Sequence, residues 1–175
     1  NRKIPFLQYI IKINNSKKDL KKKLNIKKKQ IVFGCHGGSS SFDLEFVKDA
    51  LKEIVRERED IIFLFLNIDK FFSHPQIKFL KGTADDIYKK KFLNTCDAMI
   101  YGRSLGESFG LACGEFAIEG KKIISYKFNR HRSHIDSLPN EMKYEYSSKK
   151  NLIQNLKKLK KKNINIKKNK NKYME

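Results

Sequence analysis

At 175 residues the chain has room for one domain of ordinary size, and 39% hydrophobic residues suffice for a core, which excludes wholesale disorder. Lys plus Arg number 39 against 19 Asp plus Glu; the net charge of +20 points to an anionic partner (nucleic acid, phosphorylated metabolite or acidic membrane) without choosing among them. Cys35, Cys96 and Cys113 are too few and too scattered for a disulfide scaffold or zinc knuckle, so a reducing, cytoplasmic setting is expected.

The basic excess sits in Lys17-Lys18, Lys21-Lys22-Lys23, Lys27-Lys28-Lys29 and a Lys/Asn-rich tail from Lys157 to Lys172. Such blocks are usually solvated faces, and with only Tyr173 as an aromatic in the tail, nucleic acid is not the expected partner. Asp19 to Leu24 has the spacing of a short basic helix. Gln30 to Phe33 is a brief β-rich run ending at Gly34, followed by a glycine-bearing loop from Cys35 to Ser41. Phe42, Phe46, Val47, Ala50, Leu51, Ile54 and Val55 then form the stripe of an amphipathic helix.

Ile61 to Leu66, the longest apolar run, is far short of the roughly 20 residues that span a bilayer and reads as a strand covered on both faces. Ile77 to Leu80 predicts a shorter strand stopped by Gly82. Thr83 or Asp85 caps a helix carrying Ile87, Tyr88, Phe92 and Leu93, and Asp97 to Tyr101 is a further strand. Gly106 to Gly110 opens a helix that Gly120 ends; Ile123 to Tyr126 is a strand. A polar loop with His131 and His134 follows, then a possible edge strand, Tyr144 to Tyr146, and a closing helix marked by Leu152, Ile153, Leu156 and Leu159. The fold class is therefore α/β, a Rossmann-like parallel sheet with helices on both faces. Ligands of such sheets bind beyond the carboxyl ends of the strands, here Gly34 to Gly38, Gly102 to Ser104 and the 127–136 loop.

The strongest local signal is Gly106-Glu107-Ser108-Phe109-Gly110-Leu111-Ala112-Cys113-Gly114-Glu115. It places Glu107 at or before the first turn of a helix and Glu115 about two turns inside. Exposed N–H groups at a helix start attract phosphate oxygens, and carboxylates accept hydrogen bonds from sugar hydroxyls. One element could hold both ends of a sugar nucleotide. A charge favoured by the helix dipole and a solvated helix residue account for the same two positions equally well. His131 and His134 have a spacing open to a metal, but two histidines without a third ligand read better as loop polarity. His36 has no assigned role.

From about Gln30 to Leu156 these motifs resemble, in order and spacing, the C-terminal domain of GT-B glycosyltransferases, and most of all the retaining group of glycosyltransferase family four. The residues that carry the resemblance are Asp97-Ala98-Met99-Ile100, Gly106 to Leu111, Glu115, Gly120 and Ile123-Ile124. The resemblance implies that Glu107 contacts donor sugar hydroxyls and Glu115 holds the nucleotide ribose. Ser108, Phe109, Gly110 and Leu111 would form the turn under the diphosphate and sugar, with Gly37 and Gly38 beside the diphosphate. Many members carry Arg directly after the first-strand glycine; Cys35 stands there instead, and Arg103 is the candidate replacement because a guanidinium grips phosphate bidentately.

The implied activity is transfer of a hexose from a nucleotide-sugar donor, with retention and without a bound metal, to an unknown acceptor. The implied layout is a basic lead-in (1–29), a nucleotide-sugar-binding domain (30–156) and a basic tail (157–175). An N-terminal GT-B domain is expected to complete the enzyme. The chain begins at Asn1 without an initiator Met and reads as a fragment, inactive or weakly active alone. A peripheral contact with an anionic membrane is a further expectation. A basic nucleic-acid-binding module and a catalytically idle nucleotide-binding domain are the alternatives.

Overall fold

A computed structural model describes residues 16–161 and Ile164. Expectations for residues 1–15, and for the tail beyond 161 other than Ile164, lie outside the described residues. Six strands form one sheet: β1 (Ile31–His36), β2 (Ile61–Leu66), β3 (Ile77–Leu80), β4 (Ala98–Tyr101), β5 (Lys122–Tyr126) and β6 (Lys143–Tyr146). Their order is β3-β2-β1-β4-β5-β6 and every pairing is parallel. Four helices lie between them, α1 (Glu45–Glu57), α2 (Asp86–Thr95), α3 (Leu111–Ile118) and the short α4 (Ser133–Asp136), and α5 (Lys149–Lys158) follows β6. This is the strand order of the Rossmann fold, as the sequence predicts.

The local causes are visible. In α1 the inward residues Val47, Ala50, Leu51, Ile54 and Val55 are buried; covering a Leu or Ile side chain stabilises the fold by about 2 kcal/mol. Strand β2 is buried at all six positions, as its unbroken apolar run requires. Asp85 caps α2 by accepting the Ile87 N–H, and Ser148 caps α5 by accepting that of Asn151. Helices α1 and α5 pack on one face of the sheet, with Phe46 against Tyr126 and Tyr146. On the other face α2 and α3 meet through Phe92 and Phe116 and through the Lys90–Glu119 ion pair.

Three local expectations change. Asp19 to Leu24 is not a helix but one turn, in which Leu24 N donates to Leu20 O and Asn25 takes a left-handed φ of 54°. Its Leu20 and Ile26 are claimed by the core before a second turn can form. The first strand runs through Gly34 to His36, because pairing with β2 continues to His36↔Leu66; Cys35 and His36 are strand residues, not loop residues. Phe42 precedes α1, its ring filling the space beside Gly102. Core packing also passes both edges of the 30–156 span, since Leu20, Ile26, Leu159 and Ile164 are buried.

Candidate functional site

After β1 the chain turns toward β2 on one side of the sheet, and after β4 toward β5 on the other, so a crevice opens between the carboxyl ends of β1 and β4. The β1–β4 ladder is only Phe33↔Ala98 and Gly34↔Met99, which leaves the ends of the two strands free to part. On the β1 side lie His36, Gly37 and Gly38. Asn67 Nδ2 donates to Gly37 O (2.7 Å), and Ser41 N and Oγ donate to Gly38 O (2.9 and 2.7 Å). A side chain at Gly38 would meet nothing within 4 Å, so this loop borders open space. On the β4 side, Gly102 O accepts from Asp43 N and Leu44 N, and Asp43 accepts from Ser104 N (2.6 Å) and Ser104 Oγ (2.9 Å). The two loops are thus tied together at the mouth.

The Glu107–Glu115 segment is not helical throughout. Gly106 and Gly110 adopt φ of 73° and 80°, and α3 begins only at Leu111, so Glu115 lies little more than one turn inside it. At Gly110 a Cβ would be strained by φ and would stand 2.3 Å from His134 Cβ, so the turn can pack this closely on α4 only with glycine. No side chain caps the start of α3, so its first amides have no side-chain acceptor at the helix start. Ser108 and Leu111 are exposed there and Phe109 is half-buried.

Arg103 Nη1 pairs with Glu107 Oε1 at 2.7 Å, both side chains about one third exposed (33% and 30%). Beneath Glu107 the floor is dry: burial drives the Cys35, Cys113 and Tyr101 groups well above their ordinary pKa values. Cys35 is only 4% exposed, so no basic side chain replaces the expected Arg at that position, and Arg103 is the guanidinium at the mouth. Glu115 is not a solvated helix residue. Its Oε1 accepts from Lys89 Nζ of α2 at 2.7 Å, and its Oε2 lies 2.9 Å from His36 Nε2. Burial pushes its carboxyl up, but His36 and then Lys89 outweigh that and hold it below the ordinary carboxylate range.

His131 and His134 do not converge on a metal site. Exposed His131 bridges Gly106 through its backbone, while His134 is fully buried. His134 Nδ1 accepts the Glu107 N–H (3.3 Å), which puts its proton on Nε2, 3.3 Å from Ser125 Oγ. Ser125 reaches Asn129 (3.3 Å), whose amide donates to the carbonyls of Arg103 and Ser104. This relay grips the 103–107 segment at both ends. Among the described residues no group of three or more His, Cys, Asp or Glu side chains is placed to hold a metal ion.

The structure pairs Arg103 with Glu107, sets the Gly110 turn against His134, and brings Glu115 to His36, the residue before Gly37 and Gly38, so that the predicted residues lie on the loops and helix start that follow β1 and β4. It adds His36, Lys89, His134, Ser125 and Asn129. Alternation along β1 could have pointed to His36 had the strand been extended past Gly34. Nothing in the sequence announces Lys89, which is 26 residues from its partner.

Neither a protein-family model nor a curated protein sequence matches the chain. Solved structures do match in fold. The Anabaena protein HepE, in complex with UDP and glucose, superposes with a TM-score of 0.62 at 15% identity, over 79% of this chain and 40% of its own. TarM gives 0.63 at 12% identity, over 88% of this chain and 31% of its own. The C-terminal domain of a Francisella tularensis glycosyl transferase group 1 family protein, LpcC, gives 0.61 at 13% identity and 82% of both chains. The fold is one that glycosyltransferases use. The chain spans less than half the length of HepE and TarM, and about four fifths of the isolated LpcC domain.

Proposed function

We propose that this chain is the donor-binding half of a glycosyltransferase that transfers a hexose from a nucleotide sugar with retention. The observation that carries the reading is that the Arg103–Glu107 pair follows β4 and the His36–Glu115 contact ends β1, on the two sides of the β1–β4 crevice where sheets of this order bind nucleotides. In this reading Glu115 accepts the ribose hydroxyls and Glu107 the sugar hydroxyls. The uncapped amides of α3 and the Arg103 guanidinium offset the charge that grows on the diphosphate as the anomeric bond breaks. Charge stabilisation by these groups requires no divalent metal. The match to HepE with UDP and glucose supports a nucleotide-sugar donor, and the partial coverage of the HepE and TarM chains supports a second domain that supplies the acceptor site.

Titration calorimetry with UDP-, GDP- and ADP-glucose tests the reading. Weak binding of one donor is expected, unchanged by EDTA and reduced at least about tenfold in Glu115→Ala, since a lost hydrogen bond to a charged group costs about 1.5–3 kcal/mol. Absence of heat from every donor rejects it. A catalytically idle nucleotide-binding domain is the second reading, favoured by the buried Cys35 where the resemblance calls for Arg. It predicts donor binding with no transfer even when the N-terminal half is present.

A further inference from the structure

Eight lysines fall between Lys17 and Lys29, a stretch whose one acidic residue is Asp19. The fold does not leave this stretch as a loose arm. Leu20 and Ile26 are buried in the core, Leu20 N donates to Thr95 Oγ1 (2.8 Å), and Asn94 Nδ2 donates to Lys18 O (2.9 Å). Lys161 Nζ, from beyond α5, donates to Lys28 O (2.8 Å) and to Gln30 O. These ties lie at the amino ends of β1 and β4, so the stretch is pinned to the end of the sheet opposite the crevice. Lys22, Lys23, Lys27, Lys28 and Lys29 are exposed there.

Gathering like charges opposes folding through their mutual repulsion, and the acids at this end do little to offset it. Asp60 is held by Arg58, Glu57 by Lys157, and Asp97 by the Val32 N–H and Lys161. Asp19 Oδ1 accepts the Lys21 N–H (2.9 Å), and Glu59 is exposed. The excess positive charge is left for an anionic partner outside the chain.

The chemistry of this end fits a bilayer surface better than a nucleic acid. Its bases are lysines: neither 16–30 nor 157–175 contains Arg, whose planar fork reads guanine edges and grips phosphate bidentately. Residues 16–30 hold no aromatic on which a base could stack, and they form a single turn and irregular chain, not a helix or ribbon that enters a groove. Ammonium groups on flexible stems suit the diffuse negative field of lipid head groups. The exposed large apolar side chains, Ile87, Leu105, Leu111 and Phe128, all follow the carboxyl ends of β3, β4 and β5, at the crevice end. Contact through the lysine end is therefore electrostatic, without apolar insertion. We propose that this lysine face docks the protein on an anionic phospholipid surface, with the crevice directed away from the bilayer. The proposal does not depend on the reading of the donor site.

The test is sedimentation of the whole chain with vesicles of phosphatidylcholine alone or with about 30% phosphatidylglycerol, at about 0.1 M salt. Binding is expected to the anionic vesicles only, and is expected to be lost at about 0.5 M salt. Joint Lys22→Gln, Lys27→Gln and Lys28→Gln should weaken it about a hundredfold, at about fivefold per lysine. The same charge removed from the crevice end, by joint Lys70→Gln, Lys81→Gln and Lys127→Gln, should change it less than about threefold, because those groups lie beyond the screening length. All six side chains are exposed, and circular dichroism melting confirms that both triple variants fold. Equal weakening by the two triples would trace binding to net charge and overturn the face, as would failure to sediment with anionic vesicles. Tighter binding of a labelled RNA duplex of about 20 base pairs than of the vesicles, at the same salt, reassigns the face to nucleic acid and overturns the lipid assignment.

Discussion

His134 shows how much one buried side chain carries. It sits under the ring of Tyr101 (centroids 4.6 Å), accepts the Glu107 amide and touches Ser125, with no exposed surface. Burial lowers its pKa from the ordinary 6.5, with the contacts to Glu107 in partial opposition. The folded state thus favours the neutral ring. As pH falls below the unfolded value the unfolded chain takes up the proton first, so the stability contributed by His134 is complete above that value and is lost as pH drops through the lower folded value. Melting temperatures between about pH 7 and about pH 5 should fall more steeply for the native chain than for His134→Gln, which has no titrating ring. Parallel slopes would show that His134 is not a neutral buried ring. The sequence marks this residue as a polar loop histidine, because burial of the loop depends on its packing against the Gly110 turn.

At the scale of elements, Asp97 joins two strands that are 65 residues apart. Its backbone N donates to Val32 O (2.7 Å) and its Oδ2 accepts from Val32 N (2.8 Å), which closes the start of the β1–β4 pair. Lys161 Nζ stands 3.4 Å from the same oxygen. Asp97→Ala leaves the N–H of fully buried Val32 without an acceptor and should cost about 1–3 kcal/mol in urea unfolding, with Asp97→Asn costing less because an oxygen is retained. Equal losses for the two variants would place the effect in side-chain charge rather than in the Val32 hydrogen bond. The strand that Asp97 leads was legible from its apolar run, as were α1 and β2, because those patterns follow from burial on one face or two. The Asp19–Leu24 helix failed because two apolar residues four apart suit one turn as well as a helix, and tertiary burial of Leu20 and Ile26 decided between them.

For the whole molecule, among the described residues the basic segment 16–30 and Lys161, far apart in sequence, meet at the end of the sheet opposite the crevice. Residues 16–30 lead into the start of β1, Asn94 and Thr95 before β4 bond the backbone of Lys18 and Leu20, and Lys161 donates to the carbonyls of Lys28 and Gln30. Arg58, before β2, binds the Leu156 and Leu159 carbonyls at the end of α5. The first part of the basic tail is therefore a packed strap, with Leu159 and Ile164 in the core, and not only a solvated run. Deleting residues 157–175 should lower stability by about 3–6 kcal/mol, from two lost apolar side chains, in addition to any loss of charge. If the truncated protein melts with the full chain, the strap contributes only charge. No helix among the described residues is long and apolar enough to cross a membrane.

Hydrophobic periodicity and glycine placement by themselves determined the element order and, through the alternation of strands and helices, the parallel α/β class, since each element depends on interactions within a few residues along the chain. Only the tertiary structure decided which side chains meet in that crevice. His36, Lys89 and Glu115 come from a strand and two helices, and His134, Ser125 and Asn129 converge on the 103–107 segment from beneath. Such contacts are set by strand order and helix packing, and residues brought together across 26 or 79 positions leave no local pattern to read.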